Sequence, residues 1–276
     1  MRARCWIAAV VLAGCNGPTV RPTDSERVDG ARSEPDVRVG SPGSDAAVFT
    51  VPDVAPAAPP TDSAPAECGR LVATVRDFRG AHPDFEKENL NTARLFPGIV
   101  RPDLGTDGKP VHAQPGPTAA TSGPVSFDQW YRDVPGINLR FEVPLPLTEA
   151  RPGLFVHDNQ AFFPIDGRGW PADERFGHNF HFTTEIHTQF RYRGGERFTF
   201  TGDDDVFVFI NRKLALDLGG MHPTLSATVD LDAQRATLGL TVGQMVPLDV
   251  FHAERHTTQS TFRIETSIDC LRPVVD

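Results

Sequence analysis

Three consecutive aspartates, Asp203, Asp204 and Asp205, are the side chains whose type and spacing point most directly to chemistry. They separate two apolar segments and therefore fall where one strand ends and the next begins. Carboxylate oxygens are the ligands that Ca²⁺ prefers, and a bound cation would offset the repulsion among three neighbouring anions. Adjacent side chains on a regular strand point to opposite faces, so two of these carboxylates can share an ion only where the backbone is distorted. The alternative is that they are solvated residues of a turn.

The histidines do not form a convincing zinc-binding pattern. His181, Glu185 and His187 fall on one face of a predicted strand. Residues two apart on a strand are separated by roughly 6.6 Å, so His181 and His187 are roughly 20 Å apart and the three side chains cannot converge on one metal. Two other histidine pairs each lack an obvious third ligand: His178 with His181, and His252 with His256. The alternative is that these are half-exposed strand residues.

The elements that must position the aspartates are strands. From residue 180 to 192 apolar residues alternate with polar ones, which predicts a strand with one core face and one polar face. Val206 to Ile210 is apolar at every position, which is typical of a strand buried on both faces. Further alternation up to Ile268 predicts an all-β domain, an antiparallel β-sandwich, over residues 68–276.

The segment between residues 70 and 165 is less regular. Val72 to Phe78 and Asn138 to Leu145 read as strands, whereas the Pro/Gly-rich residues between them show no period. We therefore expect long ordered loops there.

The N-terminus has the features of an export signal. Arg2 and Arg4 precede the apolar run Trp6 to Ala13, which is too short to span a bilayer and predicts a signal peptide over residues 1–14. The following Cys15 completes a segment that resembles the bacterial lipobox, whose cysteine receives a lipid; the alternative is an ordinary export signal with an incidental cysteine. Asn16 after the lipidated cysteine would favour the outer membrane and cell surface.

Residues 15–67 are rich in Pro, Ala, Ser, Asp and Thr, with Phe49 as the sole aromatic residue. Such a composition cannot bury enough apolar surface to offset the entropy of ordering, so we predict a disordered tether between the lipid and the domain.

Two cysteines remain for the domain once Cys5 leaves with the signal and Cys15 carries lipid. Export places Cys68 and Cys270 in an oxidising compartment, which predicts a disulfide across the two edges of the domain; the alternative is two unpaired thiols. The formal net charge of −9 argues against nucleic acid as a partner, because phosphate binding needs a basic surface.

Several motifs occur in an order that resembles the fibro-slime domain family, which is related to the lectin-like module of anthrax protective antigen and of the yeast flocculins. The resemblance covers about residues 72 to 268. The matching segments are 127–136, 163–167, 177–183, 201–211, 217–220 and 253–258.

The resemblance implies a β-sandwich of secreted and surface proteins. In the related yeast adhesins two adjacent aspartates, joined by a cis peptide bond, bind Ca²⁺, and sugar hydroxyls contact the ion. Asp203 and Asp204 fall at that pair, and Asp205 falls where relatives often have glycine.

One departure concerns a later loop, from which the adhesins supply an asparagine. This chain has no asparagine there; Glu254 is the expected substitute as a calcium ligand, whereas Arg255 could instead pair with the aspartates and make calcium unnecessary. We expect Asp205, His256 and Trp130 to contact the organic ligand. For Trp130, packing in the core is an equally open alternative.

These expectations favour a non-catalytic carbohydrate-binding or adhesion domain, assisted by calcium, whose partner is an extracellular glycan or polysaccharide. The runner-up is a structural component of an extracellular matrix or coat. An enzyme ranks third, since the sequence assigns neither a nucleophile with its base nor a defined carboxylate pair.

Overall fold

A computed structural model describes residues 68–86, 94–171 and 176–274. The predicted signal peptide, the lipidation site at Cys15 and most of the tether lie outside the described residues. Within them the chain forms twelve strands and two single-turn helices. In chain order these are β1 Arg70–Phe78, α1 Pro124–Phe127, β2 Asn138–Pro146, β3 Thr148–Arg151, β4 Leu154–Asn159, β5 Phe182–Arg191, β6 Arg197–Gly202, β7 Asp205–Ile210, β8 Lys213–Leu218, β9 Leu225–Asp230, α2 Arg235–Leu238, β10 Met245–Glu254, β11 Phe262–Thr266 and β12 Arg272–Pro273.

The strands form two antiparallel sheets. The larger sheet has the order β2-β1-β5-β10-β7-β8, with β12 paired to β5, and the smaller has the order β3-β4-β11-β6-β9. Antiparallel register holds at every pairing, for example Val250 opposite Ile186 between β10 and β5. The predicted all-β antiparallel sandwich is therefore confirmed.

The main core lies between the two sheets. Phe182, Ile186 and Phe190, which share one face of β5, pack there against Phe198 and Phe200 of β6. Each such side chain contributes about 1.5 to 3 kcal/mol when it is fully buried. The period of two in the sequence thus correctly identifies the inner face of β5.

The other face of the larger sheet is covered by the long connection between β1 and β2. Phe207 and Phe251 of the sheet form a second core with Trp130 and Tyr131 of that connection, and both tryptophan and tyrosine are at most 1% exposed. This second layer explains why β7 is apolar at every position. The predicted long ordered loops are thus confirmed in the described part of this segment.

The covering layer also corrects one expectation. The alternation in β5 predicts that its second face is polar and half-exposed, yet Thr183 and Glu185 on that face are 0% and 1% exposed. His187 keeps partial exposure, because it lies at the edge of the covering layer.

A disulfide joins Cys68 to Cys270, 202 residues apart in sequence. It ties the residues preceding β1 to those preceding β12, and it confirms the predicted pairing. No helix in the described ranges is long and apolar enough to cross a membrane.

Candidate functional site

Three connections meet around the aspartates at one end of the sandwich. They are the β6–β7 link, which contains Asp203 and Asp204, the β8–β9 loop at 219–224, and the β10–β11 loop at 255–261. Backbone groups from both loops donate hydrogen bonds to the aspartate carboxylates. The site is therefore built from residues that lie about 20 and 50 positions later in the chain.

Each carboxylate oxygen of Asp203 and Asp204 accepts a hydrogen bond. Asp203 accepts from the backbone N–H of Thr261 at 2.6 Å and from the hydroxyl of Thr224 at 2.8 Å. Asp204 accepts from the backbone N–H groups of His222 and Arg255, both at 3.1 Å. The peptide bond between the two aspartates is cis, as the resemblance implies. The four hydrogen bonds hold the pair in position from both loops.

Gly202, just before the pair, is needed for close packing. A Cβ atom built there would lie 2.4 Å from the backbone oxygen of Thr261, a distance that non-bonded atoms do not adopt. Glycine at the end of β6 thus lets the β10–β11 loop approach closely enough for Thr261 to reach Asp203.

Asp205, the third aspartate, is not exposed to a ligand in this structure. It is fully buried and forms an ion pair with the equally buried Arg255, whose Nε lies 2.6 Å from its Oδ2. The backbone N–H of Gly220 donates to its other oxygen at 2.7 Å. The alternative raised for Arg255, pairing with the aspartates, thus occurs through Asp205, which is not available as the predicted ligand contact.

Arg255 also connects this site to the covering layer. Its Nη1 donates to the backbone oxygens of Asp84 and Ala120, at 3.0 and 2.9 Å, and its guanidinium carbon lies 4.7 Å from the centre of the Trp130 ring. Trp130 is fully buried and donates from Nε1 to Asp84 at 3.0 Å. The structure therefore places Trp130 in the core, which is the alternative to sugar stacking.

Glu254, at the end of β10, adds a third buried carboxyl group near the pair. It is 1% exposed, and its Oε2 has no hydrogen-bond partner. Burial, and then the charges of Asp204 and Asp203, raise the pKa of Glu254 well above its usual range. Burial likewise raises the pKa of Asp204 to about 7, against the opposing effect of Arg255.

The nearby imidazole of His252 does not supply a compensating charge. Burial lowers its pKa to about 4, although its Nε2 contacts the backbone oxygen of Asp203 at 2.7 Å. Within the described ranges, Arg255 is the sole Arg or Lys side chain that pairs with a carboxylate of this cluster, and it pairs with Asp205. Asp203, Asp204 and Glu254 are left without an ion-pair partner.

The donor set suits a hard cation, but it is not a complete cage. No group of three or more His, Cys, Asp or Glu side chains in the described part of the chain is placed to hold a metal. The structure thus does not bring Glu254 together with Asp203 and Asp204 as a three-carboxylate centre. Calcium takes six to eight oxygen ligands, so the aspartate pair would be a part of its shell, which backbone, solvent or ligand oxygens would have to complete.

Exposed residues border the buried pair. In the β10–β11 loop His256, Thr258 and Gln259 are exposed, as are Pro223 and Thr224 in the β8–β9 loop. His256, a predicted ligand contact, is close to Glu86: its Nε2 lies 3.9 Å from Oε2 of Glu86. These side chains are the ones that a molecule approaching Asp203 and Asp204 would meet first.

The other histidines weighed as zinc ligands have separate carboxylate partners. His178 contacts Asp166 at 2.6 Å, and His181 contacts Glu86 at 3.2 Å. His187 lies elsewhere, in contact with Glu185 and Asp249.

Comparison with known families finds one match that includes the aspartates. Residues 168–273 match the model of the PA14 domain. Asp203, Asp204, Asp205, Glu254 and His256 all fall inside the PA14 match, whereas Trp130 and Cys68 precede it. The aspartates, Glu254 and His256 thus lie within the segment that is similar to the PA14 domain, and the covering layer precedes that segment.

A curated relative extends the similarity beyond the PA14 match. The protein psiD of Dictyostelium discoideum is 42% identical over 212 residues, which cover 72% of this chain and 41% of psiD. This chain therefore spans less than half of the length of psiD.

Solved structures that a structural search matches to this chain include the PA14 sugar-binding domain from an RTX adhesin. It is 12% identical, with a TM-score of 0.25, over 32% of this chain and 47% of that domain. The A domain of epithelial adhesin 9 from Candida glabrata, in complex with Galb1-4GlcNAc, is 12% identical, with a TM-score of 0.30, over 74% of this chain and 84% of that domain.

Several residues of the site carry no signal in the sequence. Thr224 and Thr261 are ordinary hydroxyl residues in loops, and His222 contributes its backbone N–H, which any residue other than proline would supply. The burial of Glu254 was likewise not evident, because it depends on loops that show no period. A sharper signal was Gly202 immediately before the three aspartates, since glycine at a strand end often marks a close backbone approach.

Proposed function

We propose that this domain is a non-catalytic carbohydrate-binding or adhesion module in which Asp203 and Asp204 hold a Ca²⁺ ion that sugar hydroxyls contact. The observation that carries the proposal is a group of buried carboxyl side chains, at one end of the sandwich, that lack a cationic partner among the described residues. Asp203, Asp204 and Glu254 are buried together without an ion-pair partner among the described residues, and Oε2 of Glu254 has no hydrogen bond. The PA14 match across the same residues supports it.

The residues of the site would have two roles, holding the ion and contacting the sugar. Asp203 and Asp204 are fixed by hydrogen bonds from Thr261, Thr224 and two backbone N–H groups, so their remaining lone pairs are already oriented. Calcium, when bound, would offset their charge and offer open coordination positions to vicinal hydroxyls. Thr258, Gln259 and His256 are the exposed side chains that would hydrogen-bond the rest of the sugar.

A structural component of an extracellular matrix or coat is the second candidate. The near-complete burial of the pair favours it, since Asp203 and Asp204 are 3% and 5% exposed. In that case the hydrogen bonds to the carboxylates serve to hold the three connections together.

A glycan array, probed with the folded domain in calcium and again in excess chelator, separates the two. Lectin activity predicts binding to a restricted set of glycans and its loss in chelator. Absence of binding in both conditions, from protein whose thermal melt shows a single cooperative transition, would exclude the carbohydrate-binding function and leave the structural one.

We further propose that the protein is held at the cell surface by a lipid on Cys15, which the lipobox-like segment before it supports. Cells grown with a radiolabelled fatty acid should incorporate label into the wild-type protein and into Cys5→Ser, because Cys5 lies within the signal. Cys15→Ser should take up none. Equal labelling of Cys15→Ser would contradict the anchor.

A further inference from the structure

A cleft separate from the candidate calcium site lies beside Pro247 and Asp249 of β10. It has a volume of about 360 Å³ and is lined by the 106–109 loop, the β7–β8 turn at Arg212, and residues of β5 and β10. Asp249 in this cleft and Glu254 in the candidate calcium site are five residues apart on one strand, roughly 17 Å. The two sites are therefore separate.

The floor of the cleft is a network of charged side chains. The imidazole of His187 lies between two carboxylates, with Nδ1 2.6 Å from Asp249 and Nε2 2.5 Å from Glu185. Lys109 also pairs with Glu185, and Arg76 donates to the other oxygen of Glu185 at 2.6 Å. Since each imidazole nitrogen faces a carboxylate oxygen, both nitrogens donate and the ring carries a positive charge.

The pKa values agree with this assignment of charge. Burial alone would lower the pKa of His187, but the hydrogen bonds to Asp249 and Glu185 outweigh it and raise the pKa to about 9. Burial would raise the pKa of Glu185, yet His187, Arg76 and Lys109 bring it down to about 2. His187 and Glu185 are thus both ionised at neutral pH.

The cations lie nearer to solvent than their acidic partners. The side chains of Lys109 and His187 are 19% and 22% exposed, whereas those of Glu185 and Asp249 are 0% and 9% exposed. A molecule that enters the cleft therefore meets positive charge first. Burying ionised groups carries a desolvation cost, so such a network at the floor of a cleft is a candidate binding site.

Arg212 adds a further cation at the mouth. It is exposed, its Nη2 donates to the backbone oxygen of Gly105, and it pairs with no carboxylate in the described ranges. The one exposed acid in the lining, Asp107, is occupied by Arg132 at 2.9 Å and by the backbone N–H of Lys109 at 3.2 Å. A guanidinium with free N–H groups is suited to bidentate binding of a carboxylate.

We propose that this cleft binds an acidic saccharide, with the sugar carboxylate on Arg212 and Lys109. The volume suits a single sugar residue. The hydroxyl of Thr106 and the carboxylates of Asp107 and Asp249 line the same cleft and can accept hydrogen bonds from sugar hydroxyls. A ligand that carries both a carboxylate and hydroxyls matches both sets of groups, and its binding needs no calcium.

Isothermal titration tests the proposal. Trigalacturonate and the uncharged maltotriose are each titrated into the domain in the presence of chelator. Arg212→Gln should weaken trigalacturonate binding about tenfold or more, the effect of losing a charge-assisted hydrogen bond. Lys213→Gln is the matched control, because Lys213 is the next residue along, is 44% exposed, and pairs outside the cleft with Asp103. It should change the affinity by less than about twofold.

Three results would overturn the proposal. They are unchanged affinity in Arg212→Gln, an equal loss in Lys213→Gln, and binding of maltotriose as tight as that of trigalacturonate. Equal affinity for inorganic phosphate would reduce the cleft to a general anion site and refute the saccharide assignment. A variant with Asp203→Asn and Asp204→Asn should retain trigalacturonate binding, so failure of the calcium proposal and failure of this one are distinguishable.

Discussion

Replacing Arg255 with alanine is expected to lower the free energy of unfolding by about 3 to 5 kcal/mol, the usual cost of removing one partner of a buried ion pair. Asp205 would be left buried and unpaired, and the backbone oxygens of Asp84 and Ala120 would lose their donor. For a domain of about 200 residues this corresponds to a melting temperature lower by roughly 6 to 20 °C. Chemical denaturation and a thermal melt of the same sample measure both quantities.

Arg197→Ala is the matched control for this variant. Arg197 also pairs with an aspartate, Asp230 at 2.9 Å, but the two side chains are 67% and 38% exposed. Its loss should cost less than about 1 kcal/mol. If Arg255→Ala lowers the free energy of unfolding by as little as Arg197→Ala does, Arg255 does not tie the aspartate loop to the covering layer.

A double replacement separates charge from packing. Asp205→Asn combined with Arg255→Met removes both charges while keeping most of the volume, so it should destabilise the domain less than Arg255→Ala does. If the double variant is as unstable as Arg255→Ala, the lost contacts with Trp130 and the two backbone oxygens outweigh the ion pair.

Calcium is expected to raise the melting temperature of the wild-type domain, and Asp203→Asn with Asp204→Asn should abolish that rise. Extracellular calcium modules have dissociation constants of about 0.1 to 1 mM, so 10 mM calcium would stabilise the domain by roughly 1.4 to 2.7 kcal/mol. That corresponds to a rise of roughly 3 to 10 °C. The measurement is a thermal melt in chelator and in calcium.

Glu142→Gln with Glu149→Gln is the control for the calcium response, because it removes two exposed carboxylates far from the aspartates in the fold. This variant should keep the full rise. If the aspartate double variant melts cooperatively in chelator and still shows the full rise, the ion binds elsewhere.

The sequence predicted the features that depend on local pattern. The period of two located β5, and the unbroken apolar run of Val206 to Ile210 located β7. The disulfide followed from counting the cysteines left after export. Asp203 and Asp204 were placed correctly between two strands for the same reason, because the change in hydropathy marks where β6 ends; Asp205 is instead the first residue of β7.

The sequence could not predict contacts between distant segments that lack a period. The connection that covers the second face of the larger sheet shows no alternation, so the burial of Glu185 and Trp130 was not evident. Whether a carboxylate is free to bind a ligand depended on the same contacts. Asp205 differs from Asp203 and Asp204 because Arg255, fifty residues later, reaches its side chain.

The most direct test of the account is to titrate the glycan that binds best on the array against the wild-type domain and against the variant with Asp203→Asn and Asp204→Asn. Calcium-assisted recognition at this pair predicts saturable binding of the wild type in calcium, and its loss both in chelator and in the variant. Binding that persists unchanged in the folded variant, or in chelator, would contradict it.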